Sequence, residues 1–128
     1  MRLLLDTHAL IWWWTADDRL SAAARSAIAD EGNEVFVSAA SAWEISTKQR
    51  LGKLAGVPDA VAQFDASVAA DGFAHLPMTH RHALRAGAFP QDHRDPFDRM
   101  LAAQAEIEQL VLLTRDPAFA LFDAQTVW

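Results

Sequence analysis

The chain has 128 residues, 52% of them apolar, no cysteine and a formal net charge of −6. That length suits one domain, residues 1–128, with a sizeable core; the missing cysteine excludes disulfides and thiolate metal sites and suits a cytoplasmic location. A protein that held nucleic acid by charge alone would be basic, so either the partner is not a polyanion or part of the acid sits in a site that a cation neutralises.

Met1-Arg2-Leu3-Leu4-Leu5-Asp6 is too short and too soon interrupted for a signal peptide. No apolar run approaches the ~20 residues that span a bilayer, and no membrane association is expected. Leu3-Leu4-Leu5 reads as a fully buried strand. Thr7 to Trp14 follows as a helix. Ser21 is a natural N-cap for a helix through about Ala29, ended by Gly32. Glu34–Ser38 is a second strand. Ser41-Ala42-Trp43-Glu44 opens a helix to about Leu51, ended by Gly52, and Pro58 starts another to about Ala70. Phe73–Leu76 is a weak strand, Thr79 caps a short helix ending near Gly87, and residues 88–95 form a polar loop. Asp95 before Pro96 opens a helix to about Glu108, with Phe97, Leu101, Ala102 and Ala105 as an apolar strip. Leu110–Thr114 is a buried strand; a helical turn and a strand at Thr126–Trp128 close the chain. Short apolar strands alternating with helices predict an α/β fold: a central parallel sheet covered by helices on both faces.

In such sheets ligands bind outside the carboxyl ends of the strands. Asp6 directly follows the first strand, Asp116 comes two residues after Thr114, and Glu44 and Asp98 lie in the first turns of helices. If these starts share one edge, four carboxylates converge, and a divalent cation relieves their repulsion. Oxygen ligands without Cys or His favour Mg²⁺ or Mn²⁺ over Zn²⁺. Each acid has a plainer role as well. Asp95-Pro96 and Asp116-Pro117 are cap-plus-proline patterns, Asp98 suits a helix dipole, and Ser41-x-x-Glu44 has capping-box spacing. Asp6 has the weakest such alternative, because a carboxylate straight after a buried leucine run is costly unless capped, paired or metal-bound. The five histidines show no HExxH-like pair; His8 and His93 fall nearest the acids.

Trp12-Trp13-Trp14 cannot all face one core from one helix, so the run serves either an interface or a partly open contact between helices. Lys48, Arg50, Lys53, Arg94, Arg99 and Arg115 surround the acids as phosphate contacts or as salt-bridge partners.

LLLDTHALIWW, SAASAWEISTKQRLGKL, HRDPFDRMLAAQA and LLTRDPAF, in this order across essentially the whole chain, resemble the PIN domain, and more narrowly the VapC-type ribonuclease toxins of bacterial type II toxin–antitoxin systems. The resemblance implies a Rossmann-like α/β/α sandwich and Mg²⁺- or Mn²⁺-dependent endonucleolytic cleavage of RNA. It carries over Asp6, Glu44, Asp98 and Asp116 as the catalytic acids, with Asp6, Asp98 and Asp116 as the main metal ligands. Asp98 fits the register before Ala102-Ala103 better than Asp95, which stays as an extra or supporting acid. Thr114 fits the Thr or Ser common beside the fourth acid, and Arg99 and Arg115 are rim candidates for RNA contact. The family further implies a homodimer and a cognate antitoxin that blocks the pocket. Two alternatives stand beside the toxin reading: a housekeeping PIN nuclease in RNA processing, and a non-catalytic protein-binding domain whose acids are helix caps. An aspartyl-nucleophile phosphohydrolase would need a second acid two residues after Asp6, where His8 stands.

Overall fold

The computed structural model describes residues 1–54 and 56–128. Five parallel strands form one sheet: β1 (Arg2–Leu5), β2 (Glu34–Ser38), β3 (Ala74–Leu76), β4 (Val111–Leu113) and β5 (Thr126–Val127), in the order β3-β2-β1-β4-β5. The helices are α1 (Thr7–Thr15), α2 (Ala22–Ala29), α3 (Ala39–Arg50), α4 (Phe64–Ala70), α5 (His80–Ala88) and α6 (Pro96–Glu108), with a 3₁₀ segment at Pro117–Phe122.

The leucine run of β1 explains the two layers. Successive strand side chains point to opposite faces. Leu3 and Leu5 join a core with Leu10, Trp12, Ile28 and Val68, under α1, α2 and α4. Leu4 joins the other core with Leu101, Ala102, Ala105 and Phe119, under α5, α6 and the 3₁₀ segment. Leu3, Leu4 and Leu5 are buried on both faces of β1, so an apolar run replaces alternation. On α6 the buried residues are Leu101, Gln104 and the small Ala102, Ala103 and Ala105, and the alanines let the helix approach the sheet closely.

Two boundaries depart from the sequence reading. α3 begins at Ala39, not Ser41, because Ser38 at the end of β2 caps it, accepting from the Ala40 N–H at 2.9 Å. Ser41 is therefore inside the helix and fully buried, and the capping-box role of Ser41 and Glu44 does not exist. The helix expected from Pro58 begins only at Phe64. Before it the chain turns with mixed spacings, Ala60 N–H to Val57 O and Gln63 N–H to Asp59 O, so no regular ladder forms. The α2, α5 and α6 starts at Ser21, Thr79 and Asp95 agree with their caps.

The tryptophan run is absorbed by the fold. Trp12 is buried, Trp13 lies against Phe73, and Trp14 packs edge-on to Phe64 while its Nε1–H donates to Asp71 at 3.0 Å. Trp43 is the exposed tryptophan, open over 55% of its surface and packed edge-on against Phe97.

Candidate functional site

The sheet places Asp6, Asp116 and the start of α3 at its carboxyl edge. Asp6 leaves β1 and caps α1, accepting from the Ala9 N–H at 2.7 Å. Its other oxygen accepts from the Thr114 hydroxyl at the end of β4. The same hydroxyl oxygen accepts the Asp116 N–H at 3.0 Å, so Thr114 links the two acids. Asp116 caps the 3₁₀ segment through Ala118 N–H at 2.9 Å. Thr7, next to Asp6, donates to Ser41 Oγ at 3.0 Å, tying α1 to α3 one turn before Glu44. Glu44 is nearly buried and meets Lys48 at 3.0 Å.

Asp98 reaches this edge from α6. Its Oδ2 pairs with His93 Nε2 at 2.9 Å. Asp95 caps α6 through the Phe97 N–H at 2.9 Å and, less closely, the Asp98 N–H. It is therefore the cap that its position before Pro96 suggested, while its charge also acts on Asp98.

The electrostatics show which acids face one another. Burial pushes the Asp6 carboxyl above the ordinary range; the bonds from Thr114 and Ala9 and the charge of His8 oppose this, and Asp116 adds to it. Burial likewise raises Asp98, to about 6, with Asp95 and Asp116 adding repulsion and His93 opposing it. Asp6, Asp98 and Asp116 thus form one charge-coupled group; Glu44, one turn after the Thr7–Ser41 contact, pairs with Lys48. The convergence is looser than the sequence suggested. Among the described residues no three His, Asp or Glu side chains stand close enough to hold one ion; Asp6 takes hydrogen bonds from the Ala9 N–H and Thr114, and Asp98 pairs with His93.

The cations divide sharply. The Arg99 guanidinium donates to the carbonyls of Ala86, Phe89, Gln91 and His93 at 2.6–2.9 Å. It pins the 88–95 loop to α6, and these donors are engaged by backbone. Lys48 pairs with Glu44. Arg115 instead lies over the Trp12 ring, its Cζ 4.6 Å from the centroid. His93 as the partner of Asp98, and Ser41 as the tie to Thr7, were not singled out in the sequence. His93 sits in a loop with no periodicity, and only its nearness to the acids hinted at it.

A parallel α/β domain with a charge-coupled acidic group at the carboxyl edge of its sheet is the class of protein that these features define. The PIN domain family model matches residues 3–125, and the chain belongs to that family. The structure of VapBC2 from Rickettsia felis bound to a DNA fragment from their promoter contains a chain that superimposes with a TM-score of 0.73 at 13% identity, covering 99% of this chain and 98% of that one. FitAcB from Neisseria gonorrhoeae gives 0.70 at 22% identity, covering 98% and 96%. FitAB bound to an IR36 DNA fragment gives 0.67 at 21% identity, covering 98% and 93%. No curated protein matches the chain.

Proposed function

We propose that this PIN domain is a divalent-metal-dependent endoribonuclease, and that it acts as a VapC-type toxin, inhibiting translation by cutting RNA until a cognate antitoxin neutralises it. The observation that carries this reading is the charge-coupled group of Asp6, Asp98 and Asp116, two of which burial and mutual repulsion push above the ordinary carboxylate range. The cap role accounts for Asp6 and Asp116, which accept from the Ala9 and Ala118 N–H groups, but not for Asp98, whose carboxylate caps no helix and meets His93 instead.

The donor set is all carboxylate oxygen, which suits Mg²⁺, with Mn²⁺ as alternative, better than Zn²⁺. Asp6, Asp98 and Asp116 would hold the ion, Asp98 turning from His93 to do so. When bound, the ion supplies a more acidic water and offsets charge on the scissile phosphate. Thr114 keeps the Asp6 carboxylate oriented. Glu44 orients the attacking water or takes part in a second cation site. Arg115 stands at the rim for phosphate. The solved neighbours named VapBC2 and FitAB are complexes, which supports a partner protein for this chain, and the resemblance adds self-association as a homodimer.

Thermal unfolding with and without millimolar Mg²⁺ or Mn²⁺, paired with cleavage of mixed RNA, tests the proposal. A ligand at ~100 times its Kd stabilises the native state by about 2.7 kcal/mol. We expect a metal-dependent rise in wild type that disappears in Asp98→Asn together with cleavage. No metal response, or full metal-dependent cleavage by Asp98→Asn, overturns it.

A further inference from the structure

One side of the acidic group is walled by cations and an aromatic ring. A cavity of about 360 Å³ is lined by Asp6, His8, Trp12, Arg19, Arg115 and Asp116. Its wall is the Trp12 indole, on which two guanidiniums stack: Arg115 at 4.6 Å and Arg19 at 4.9 Å from the ring centroid. The His8 ring lies 5.6 Å from that of Trp12.

The two arginines are held differently. Arg19 is locked by Asp17, donating through Nε at 3.0 Å and an amino group at 2.8 Å. Arg115 is held by the stack alone. Among the described residues its guanidinium takes part in no hydrogen bond or ion pair, although Asp6 and Asp116 line the same cavity. Stacking fixes the plane of a guanidinium without consuming its N–H groups. Arg115 therefore presents a fork of donors that no described residue uses, in the cavity that Asp6 and Asp116 line. Such a fork matches the two oxygens of a phosphate.

Resting on the nuclease reading above, we propose that Arg115, braced on Trp12 and flanked by Arg19 and His8, forms a subsite for an RNA phosphate neighbouring the one that is cut. The site answers a problem posed by the net charge of −6. The acids that hold a cation also repel the rest of the strand, so backbone phosphates leaving the centre need local positive charge. Arg99 is committed to the 88–95 loop and Lys48 to Glu44, whereas Arg19 and Arg115 gather on the Trp12 indole in the cavity that Asp6 and Asp116 line.

The test is fluorescence anisotropy of an end-labelled, mixed-sequence single-stranded RNA over a range of salt. Asp98→Asn serves as the parent so that the RNA stays intact, and Arg115→Gln is added to it. Arg115 is exposed, so the fold tolerates the change. The expected result is a five- to tenfold weaker Kd and a slope of log K against log salt reduced by about 0.7, the loss of one phosphate contact on a single strand. Arg115→Lys should restore the slope but not the full affinity, because a point charge lacks the fork. Equal affinity and slope for parent and Arg115→Gln overturn the subsite while leaving the nuclease reading standing. RNA binding by neither the parent nor the wild type overturns both.

Discussion

Asp98 carries opposite demands. In the metal-free protein its burial favours the neutral acid, and its carboxyl is raised from 3.8 to about 6. A raised folded-state value means that this group's contribution to stability is complete below pH 3.8 and is lost as pH climbs through 6. That shift corresponds to about 3 kcal/mol, which solvent screening of a half-buried group reduces. Asp98→Asn removes the charge while keeping a partner for His93. We therefore expect it to raise the melting temperature of metal-free protein by several degrees at pH 8 and to leave it unchanged at pH 3.5, read by thermal unfolding across pH. A melting temperature lowered at pH 8 would mean that the ionised carboxylate is stabilising without metal. Such a site trades stability for charge placement, as functional sites do.

At the scale of elements, the relation of α3 to α6 rests on a buried polar chain. Ser38 Oγ donates to Gln104 Oε1 at 2.5 Å while accepting the Ala40 N–H, and the Gln104 amide donates to Pro77 O at 3.2 Å and faces His82 Nδ1. His82 Nδ1 also accepts the Thr79 N–H, so its proton sits on Nε2, facing Glu108 at 3.0 Å. This chain joins the helix that bears Glu44 to the one that bears Asp98. Ser38→Ala removes a helix cap, worth ~1 kcal/mol, and strands a buried acceptor, worth ~1–3 kcal/mol. We expect a loss of about 2–3 kcal/mol in denaturant unfolding; a loss under half a kcal/mol would show that the chain can be rewired. Arg99 acts at the same scale, joining a loop to a helix through four carbonyls, and its position beside Asp98 in sequence concealed that.

For the molecule as a whole, the apolar surface left after folding is not the Trp12–Trp14 run but a shallow groove of about 190 Å³ formed by Ala40, Trp43, Ala83, Ala86, Phe97 and Met100. It spans α3, α5 and α6, and more than half of Trp43 is open. Exposed apolar patches of this kind mark interaction surfaces. Taken with the homodimer that the family resemblance implies, the expected outcome is a dimer in analytical ultracentrifugation that Trp43→Glu converts to monomer. A Trp43→Glu protein that stays dimeric would place self-association elsewhere.

The alternation of short apolar strands with capped helices determined the parallel α/β architecture, and the four sequence motifs determined the family. Both are written locally: burial on two faces demands an apolar run such as Leu3-Leu4-Leu5, and caps such as Ser21, Thr79 and Asp95 act within one turn. Tertiary structure decided what depends on partners distant in sequence. Thr114 lies 108 residues from the Asp6 it orients, and Gln104 lies 66 from Ser38. Whether an arginine serves a loop, an acid or a ligand depends on which carbonyls, carboxylates or rings the fold brings to it, and so Arg99 and Arg115, equivalent as charges in the sequence, came to lie in opposite roles.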